Sequence, residues 1–95
     1  MVMPATPQFD LGRTVATPGA IQAMAAAGQS AKDFLPRHVS LDQGELPDDD
    51  YQQNIDAIGK PVRVFSAYLT ASGERLWVIT EHDRSVTTIL LPEEY

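Results

Sequence analysis

The chain has 95 residues, a net charge of −6 and no cysteine. A chain of this length predicts one domain with one core, and the acidic balance argues against direct binding to nucleic acid or to an anionic membrane, which needs clustered Lys and Arg. The missing cysteines exclude disulfides, thiolate nucleophiles and cysteine-ligated zinc. With no apolar run of the roughly 20 residues that a membrane span requires, and no signal-peptide pattern, a cytoplasmic protein is expected.

The N-terminal part of the chain predicts an arm, a strand and a helix. Residues 1–10 are Pro-spaced and aperiodic, and we expect them to form a flexible arm. Residues 11–16 favour a short strand. Thr17 is suited to cap the helix that follows, Pro18 to occupy its first position and Gly28 to end it in the left-handed conformation.

Two further helices are predicted before the chain changes character. The Ser30-x-x-Asp33 spacing resembles a capping box and indicates a second helix. Pro36 should shorten or kink this helix, which ends near His38. A third helix is predicted over residues 47–58, with three consecutive aspartates in its first turn, where the helix dipole favours negative charge.

The last third of the chain is rich in β-branched and aromatic residues and predicts three antiparallel strands near residues 62–70, 75–81 and 85–91. Helices followed by strands are typical of the α+β class. Over residues 11–95 we therefore expect a single α+β domain. In it, two to three short N-terminal helices pack on one face of a C-terminal three- to four-stranded antiparallel sheet.

The two turns between these strands set a predicted register. A two-residue turn at Ser72-Gly73 places Tyr68 opposite Trp77, and a four-residue second loop places Trp77 opposite Thr88. The face toward the helices is then predicted to be apolar and to consist of Phe65, Ala67, Leu69, Leu76, Val78, Ile89 and Leu91. The opposite face is predicted to be mixed and to consist of Val64, Ser66, Tyr68, Arg75, Trp77, Ile79, Val86 and Thr88.

The segment Glu81-His82-Asp83-Arg84-Ser85 holds five consecutive residues with functional side chains. Catalytic groups usually converge from separate segments, whereas neighbouring residues of a hairpin loop point apart. Asp83 can accept backbone N–H bonds as in an Asx-turn, and Arg84 can pair with Glu81 or Asp83. We interpret the segment as a structural turn and predict no catalytic residue in it.

His38 and His82 are the only histidines. With a carboxylate such as Asp42 they would be the ligands of a metal-dependent enzyme, but the chain has no HExxH, HxH or calcium-loop spacing. We therefore predict no metal, no cofactor and no enzymatic activity. A small metal-dependent enzyme that uses His38 and His82 is kept as an alternative.

Two surfaces are candidates for binding a protein partner. The stretch 42–56 contains six carboxylates and no Lys or Arg; such charge can dock on a basic, nucleic-acid-binding protein, although a solvated surface also explains it. The mixed sheet face presents residue types enriched at interface hot spots, with a covering segment or a homodimer as alternatives. The acidic-patch residues are Asp42, Glu45, Asp48, Asp49, Asp50 and Asp56. The sheet-face residues are Tyr68, Arg75 and Trp77.

Three blocks of the sequence, LGRTVATPGAIQAM, FLPRHVS and WVITEHDRSVTTILLPEEY, resemble a family of small uncharacterised proteins from proteobacterial plasmids and integrated mobile elements. The resemblance extends from Leu11 to Tyr95, with ATPGA and TExDRSxTTxLLPxEY as its specific motifs. Where many relatives have Gly-Asp-Trp-Gly, this chain has Leu41-Asp42-Gln43-Gly44. The resemblance implies a mobile-element setting, in which small acidic proteins often inhibit host defences or regulate transfer.

These observations lead to one functional hypothesis and two alternatives. The leading hypothesis is a non-enzymatic protein-interaction module of a mobile element. Its most concrete form is an inhibitor of a host defence nuclease, of the CRISPR or the restriction type. The alternatives are a homodimeric structural or regulatory protein and the metal-dependent enzyme.

Overall fold

The structure, a computed structural model, describes residues 9–42, 44 and 62–95. The predicted third helix over residues 47–58, most of the predicted N-terminal arm and five of the six acidic-patch residues lie outside this part. None of the described helices is long and apolar enough to cross a membrane. The described elements are β1 (Arg13–Ala16), α1 (Pro18–Ala26), a 3₁₀ turn (Ala31–Asp33), α2 (Leu35–Val39), β2 (Val64–Leu69), β3 (Arg75–Thr80), β4 (Val86–Leu90) and a C-terminal 3₁₀ turn (Pro92–Glu94).

Helix α1 begins and ends at the residues that the sequence indicates, and the second helix begins later than predicted. Thr17 caps α1 by accepting a backbone N–H of the first turn at 3.2 Å, and Gly28 follows the helix with φ of +68°. The Asp33 carboxylate accepts the Ser30 N–H at 2.8 Å, which is half of the predicted capping box. Pro36 lies in the first turn of α2, which is short and ends next to His38, as predicted. The residues directly after Ser30 form a 3₁₀ turn, so α2 begins at Leu35.

The sheet has four strands in the order β1-β4-β3-β2. The α+β class is confirmed. The three C-terminal strands are antiparallel to one another, but β1 runs parallel to β4. The prediction of a wholly antiparallel sheet is therefore wrong for β1. A hairpin fixes the direction of its two strands, whereas no short turn links β1 to β4 and sets theirs.

The register predicted for the first hairpin is wrong by one residue. Tyr68 lies opposite Leu76, and Trp77 lies opposite Ala67. The cause is the length of the turn, because a bond from Thr70 N–H to a main-chain carbonyl at 2.8 Å closes a three-residue loop instead of a two-residue one. Gly73 ends this loop in the left-handed region, with φ of +88°. A one-residue shift turns every β2 side chain to the other face of the sheet.

The register predicted for the second hairpin is shifted by two residues, which leaves the faces unchanged. Thr80 lies opposite Thr87, and Ile79 lies opposite Thr88. The Glu81 N–H donates to the Val86 carbonyl at 3.0 Å, so the four-residue loop begins one residue later than predicted. The face assignments of β3 and β4 are therefore confirmed.

One face of the sheet, here the inner face, packs against the helices. It is closed by an apolar cluster of Ala20, Ala23, Met24, Phe34, Tyr68, Leu76, Val78 and Ile89. The shift in β2 brings Val64, Ser66 and Tyr68 to this inner face and moves Phe65, Ala67 and Leu69 away from it. The other face, here the outer face, carries Phe65, Ala67, Leu69, Arg75, Trp77, Ile79, Val86, Thr88 and Leu90.

Candidate functional site

A chain of buried polar side chains crosses the inner face beside the apolar cluster. His38, from α2, lies 2.6 Å from the Ser66 hydroxyl through Nδ1 and 2.8 Å from the Thr80 hydroxyl through Nε2. Thr80 Oγ1 lies 2.7 Å from Thr87 Oγ1, which donates to the Leu11 carbonyl at 2.7 Å. The four side chains are buried. This His38 network therefore joins α2, three strands and the segment before β1.

The Leu11 end of the His38 network fixes the direction of its hydrogen bonds from Thr87 as far as Nε2 of His38. The Leu11 carbonyl can only accept a hydrogen bond, so the Thr87 hydroxyl donates its single proton to it. Thr80 must then donate to Thr87 and accept from Nε2 of His38. Nε2 of the imidazole therefore carries a proton, and in a neutral ring Nδ1 then accepts the proton of the Ser66 hydroxyl.

The surroundings of His38 keep its ring neutral. Burial first, and the positive charge of Arg84 second, lower the pKa of His38 from 6.5 to about 4. The edge of the Phe9 ring packs on the imidazole at 5.2 Å between ring centroids. Because both nitrogens are hydrogen bonded and the residue is fully buried, neither nitrogen is open to a substrate or a metal in this arrangement.

His82 has the opposite environment, since it is exposed in the loop between β3 and β4. Among the described residues, no three His, Asp or Glu side chains are grouped so that they could hold a metal ion. The described part of the chain therefore offers no metal centre built on both histidines.

The loop around His82 is a turn with a local hydrogen-bond pattern. Asp83 Oδ1 accepts the Ser85 N–H at 3.0 Å, which confirms the predicted Asx-turn. Hydrogen bonds from Ser85 hold the pKa of the exposed Asp83 carboxyl below its ordinary value. Arg84 takes the left-handed conformation, with φ of +60°, and its N–H donates to the Glu81 carbonyl at 3.0 Å. The functional groups of this segment are thus used to build the turn.

Among the described residues, the Arg84 side chain forms neither of the two predicted ion pairs, with Glu81 or with Asp83. The Arg84 guanidinium donates to the main-chain carbonyls of Val62 and Glu81. The Glu81 carboxylate lies 3.4 Å from Nη2 of Arg63 instead. The Arg84 side chain therefore joins the loop to the residues just before β2, through the main-chain carbonyl of Val62.

The three predicted sheet-face residues are divided between the two faces. Arg75 and Trp77 lie on the outer face, but Tyr68 is 1% exposed on the inner one. Its hydroxyl donates to the Asp42 carbonyl, and the guanidinium carbon of Arg37 lies 4.5 Å from its ring centre. Burial raises the pKa of Tyr68 to about 12. Tyr68 therefore serves the interior of the fold.

A different tyrosine takes its place beside Trp77. The ring of Trp77 makes edge contacts with Phe65 at 5.1 Å and with Tyr95 at 5.6 Å between centroids. Tyr95 is 69% exposed, and its hydroxyl accepts a bond from Arg63 Nη1 at 2.8 Å. We call Phe65, Trp77 and Tyr95 the outer aromatic group. Sequence reasoning left Tyr95 out because it lies beyond the last strand.

The C-terminal turn is fixed to the start of α1, which places Tyr95 on the sheet. The Glu94 carboxylate accepts the Thr17 hydroxyl, the Leu91 N–H at 2.9 Å and the Gly19 N–H at 3.3 Å. A side chain at Gly19 would meet this carboxylate at 2.7 Å. The bond from Thr17 is the main cause that lowers the pKa of Glu94. The only sequence signal for this turn is the Pro-Glu-Glu triplet, which suits a short helical start.

Asp42 is the single acidic-patch residue in the described part of the chain. Its carboxylate lies 2.8 Å from Nε of Arg37 and accepts the Gly44 N–H at 3.2 Å. The bond from Arg37 lowers the pKa of Asp42. The charge of Asp42 is therefore balanced within the fold. The other members of the patch, Glu45, Asp48, Asp49, Asp50 and Asp56, lie outside the described residues.

No protein-family model, curated protein or solved structure matches this chain. A functional proposal therefore depends on the described geometry, on the sequence and on the resemblance carried by its motifs. Of the features above, the His38 network is closed to solvent, whereas the outer aromatic group is partly exposed and flanked by arginines.

Proposed function

We propose that this chain is a non-enzymatic protein-interaction module of a mobile genetic element, and that it binds its partner through the outer face of the sheet. The observation that carries the proposal is the outer aromatic group with Arg63 beside it. Arg75, on the same face, is exposed. Trp, Tyr and Arg are the residue types that contribute most binding energy at protein interfaces.

The outer aromatic group is held in place before any partner arrives. The Tyr95 ring packs on Trp77, the Arg63 guanidinium lies 5.6 Å from the Tyr95 ring centre, and Glu94 fixes the turn. A side chain that is already ordered loses less entropy on binding. An exposed aromatic ring that the fold keeps in one position is therefore better suited to an interface than a mobile surface tyrosine.

The most concrete form of the proposal is a cytoplasmic inhibitor of a host defence nuclease, of the CRISPR or the restriction type. The resemblance to mobile-element proteins supports this setting. A nuclease presents a basic surface where it binds nucleic acid. A protein of net charge −6 is attracted to such a surface, and the stretch 42–56 supplies much of that charge.

The proposal is tested with purified CRISPR effector complexes and restriction endonucleases, by calorimetry and by inhibition of DNA cleavage. We expect the native chain to bind one of them and block cleavage. Tyr95→Ala and Arg75→Glu should each weaken binding at least tenfold, or about 1.4 kcal/mol. The matched control is Lys32→Glu, an equal charge reversal at an exposed site in the helical layer. No binding across the panel, or equal losses in all three variants, would contradict the proposal.

The contribution of the acidic patch is measured separately. Reversal of Asp48, Asp49 and Asp50 to Lys should lower the association rate and flatten its dependence on salt, because complementary charge steers the encounter. An unchanged affinity and salt dependence would exclude these residues from the interface. This outcome would leave the role of the outer aromatic group untouched.

A further inference from the structure

In the described structure, the edge of β1 that faces away from β4 is open. Arg13 N–H donates to the Ser85 carbonyl at 2.9 Å and Thr17 N–H to the Ile89 carbonyl at 3.0 Å. The odd-numbered residues of β1 therefore direct their main-chain N–H and C=O groups toward β4. Thr14, between them, directs its N–H and C=O groups away from β4. Within the described residues no strand pairs with this side, and three of the four residues of β1 are exposed.

The opposite edge of the sheet, at β2, is bridged at one residue. Gly44 forms a parallel bridge with Ala67 at the edge of β2 that faces away from β3. A side chain at Gly44 would lie 2.2 Å from the Ala67 carbonyl oxygen, so only glycine allows the backbone to approach this closely. An uncovered edge presents unpaired N–H and C=O groups to any further strand. Among the described residues, the β2 edge has one such bridge and the β1 edge has none.

The charge distribution indicates what occupies the β1 edge. Residues 11–32, which include β1 and α1, contain no Asp or Glu, and their only charged residues are Arg13 and Lys32. Ile21, on α1, is 54% exposed. Two copies of a protein with net charge −6 repel each other where acidic surfaces meet. A segment without carboxylates is where a second copy can approach at the least electrostatic cost.

We propose that two copies of this chain associate through their β1 edges, as antiparallel strands related by a twofold axis at Thr14. Thr14 then exchanges both main-chain bonds with Thr14 of the second copy, and the two sheets form one sheet of eight strands. In this register Val15 lies opposite Arg13 of the second copy, on the outer face and in a pair with closely spaced side chains. The inference stands independently of the function proposed above.

The association is measured by sedimentation and light scattering over a wide range of concentrations. We expect the mass to rise to twice the 10.4 kDa of one chain. Thr14→Pro removes the outward N–H, leaves the bonds to β4 in place and should give a monomer at every concentration, because proline is tolerated on a strand edge that faces solvent. Thr14→Ala keeps the N–H and should still dimerise. A native chain that stays monomeric, or a folded Thr14→Pro dimer, would overturn the proposal.

The register is tested at Val15, which also decides the matter if Thr14→Pro fails to fold. Val15→Glu should lower the dissociation constant about fivefold, since it meets Arg13 of the second copy twice across the axis, and Val15→Lys should raise it about as much. Net charge alone predicts the reverse order, because Lys reduces the repulsion between two acidic chains. The reverse order, or equal constants, would contradict pairing at Thr14.

Discussion

The inner face of the sheet has two halves that are stabilised in different ways. The apolar half, centred on Leu76 and Val78, is held by burial of aliphatic and aromatic side chains. The polar half, the His38 network, is held by directed hydrogen bonds between buried groups. Burial is not directional, whereas a buried hydrogen bond requires one register and one tautomer. The apolar half therefore contributes most of the stability, and the polar half favours one arrangement of the strands over its neighbours.

The largest expected effect lies in the apolar half. Leu76 is fully buried, and Leu76→Ala should lower the free energy of unfolding by about 2–5 kcal/mol, through lost burial and the cavity left behind. Leu69→Ala is the matched control, because Leu69 is 42% exposed on the outer face. Urea denaturation of both variants checks this. Equal losses would mean that the inner face is not the main core.

The same contrast explains how far the sequence predicts the fold. The helix ends at Thr17 and Gly28 follow from local rules that involve only a few neighbouring residues, and they are predicted correctly. The face of β2 does not follow from such rules, because the predicted two-residue turn places Phe65 inward, whereas the three-residue loop places Ser66 and Tyr68 there. Both polar atoms find partners on distant elements.

The candidate sites show the same difference between features set by neighbouring residues and features set by contacts between distant elements. Asp83 was assigned to a turn from its neighbours alone, and the Asx-turn forms. The pairing of Trp77 with Tyr95 depends on a C-terminal turn held by α1. The hydrogen bonds of the buried His38 depend on hydroxyls from two different strands. No local pattern carries that information, so the sequence places Tyr68 instead of Tyr95 beside Trp77 and does not predict the buried network of His38.

The polar half should make the stability depend on pH. The pKa of His38 is about 4 in the fold and 6.5 as the ordinary value, so the unfolded chain binds the proton first as pH falls. The stabilisation is complete above pH 6.5 and is lost progressively as pH falls to about 4, by about 3 kcal/mol in total. Urea denaturation across this pH window measures the loss.

The control for this pH dependence is the other histidine. His82→Gln changes an exposed ring and should leave the slope between pH 6.5 and 4 unchanged, whereas His38→Gln should remove it. The carboxyl groups of Asp42, Asp83 and Glu94, whose pKa values are lowered, lose their contribution only at the acidic end of this window and below it, so the slope between pH 6.5 and about 5 is the part that reports His38. A native chain whose His38 ring titrates near 6.5 by NMR would refute the assignment.

A smaller loss is expected from breaking the network at one bond. Thr80→Val keeps the shape of the side chain but leaves the Nε2–H of His38 without an acceptor, which should cost about 2 kcal/mol. Thr88→Val is the matched control, since Thr88 is half-buried on the outer face and should change stability by well under about 1 kcal/mol. Comparable losses in the two variants would show that the network adds nothing beyond packing.

The smallest effect is expected at the other end of the imidazole. Ser66→Ala removes the donor to Nδ1 and leaves an acceptor, not an N–H, without a partner, so we expect a loss of about 1 kcal/mol. The Ser66 hydroxyl can reverse to accept a proton from a charged ring, and alanine cannot. The variant should therefore lower the pKa of His38 further and move the acid loss of stability to lower pH. An NMR titration that shows the pKa rising in Ser66→Ala would mean that the hydroxyl stabilises the neutral ring by donating to Nδ1, and that it does not reverse to accept from the charged ring.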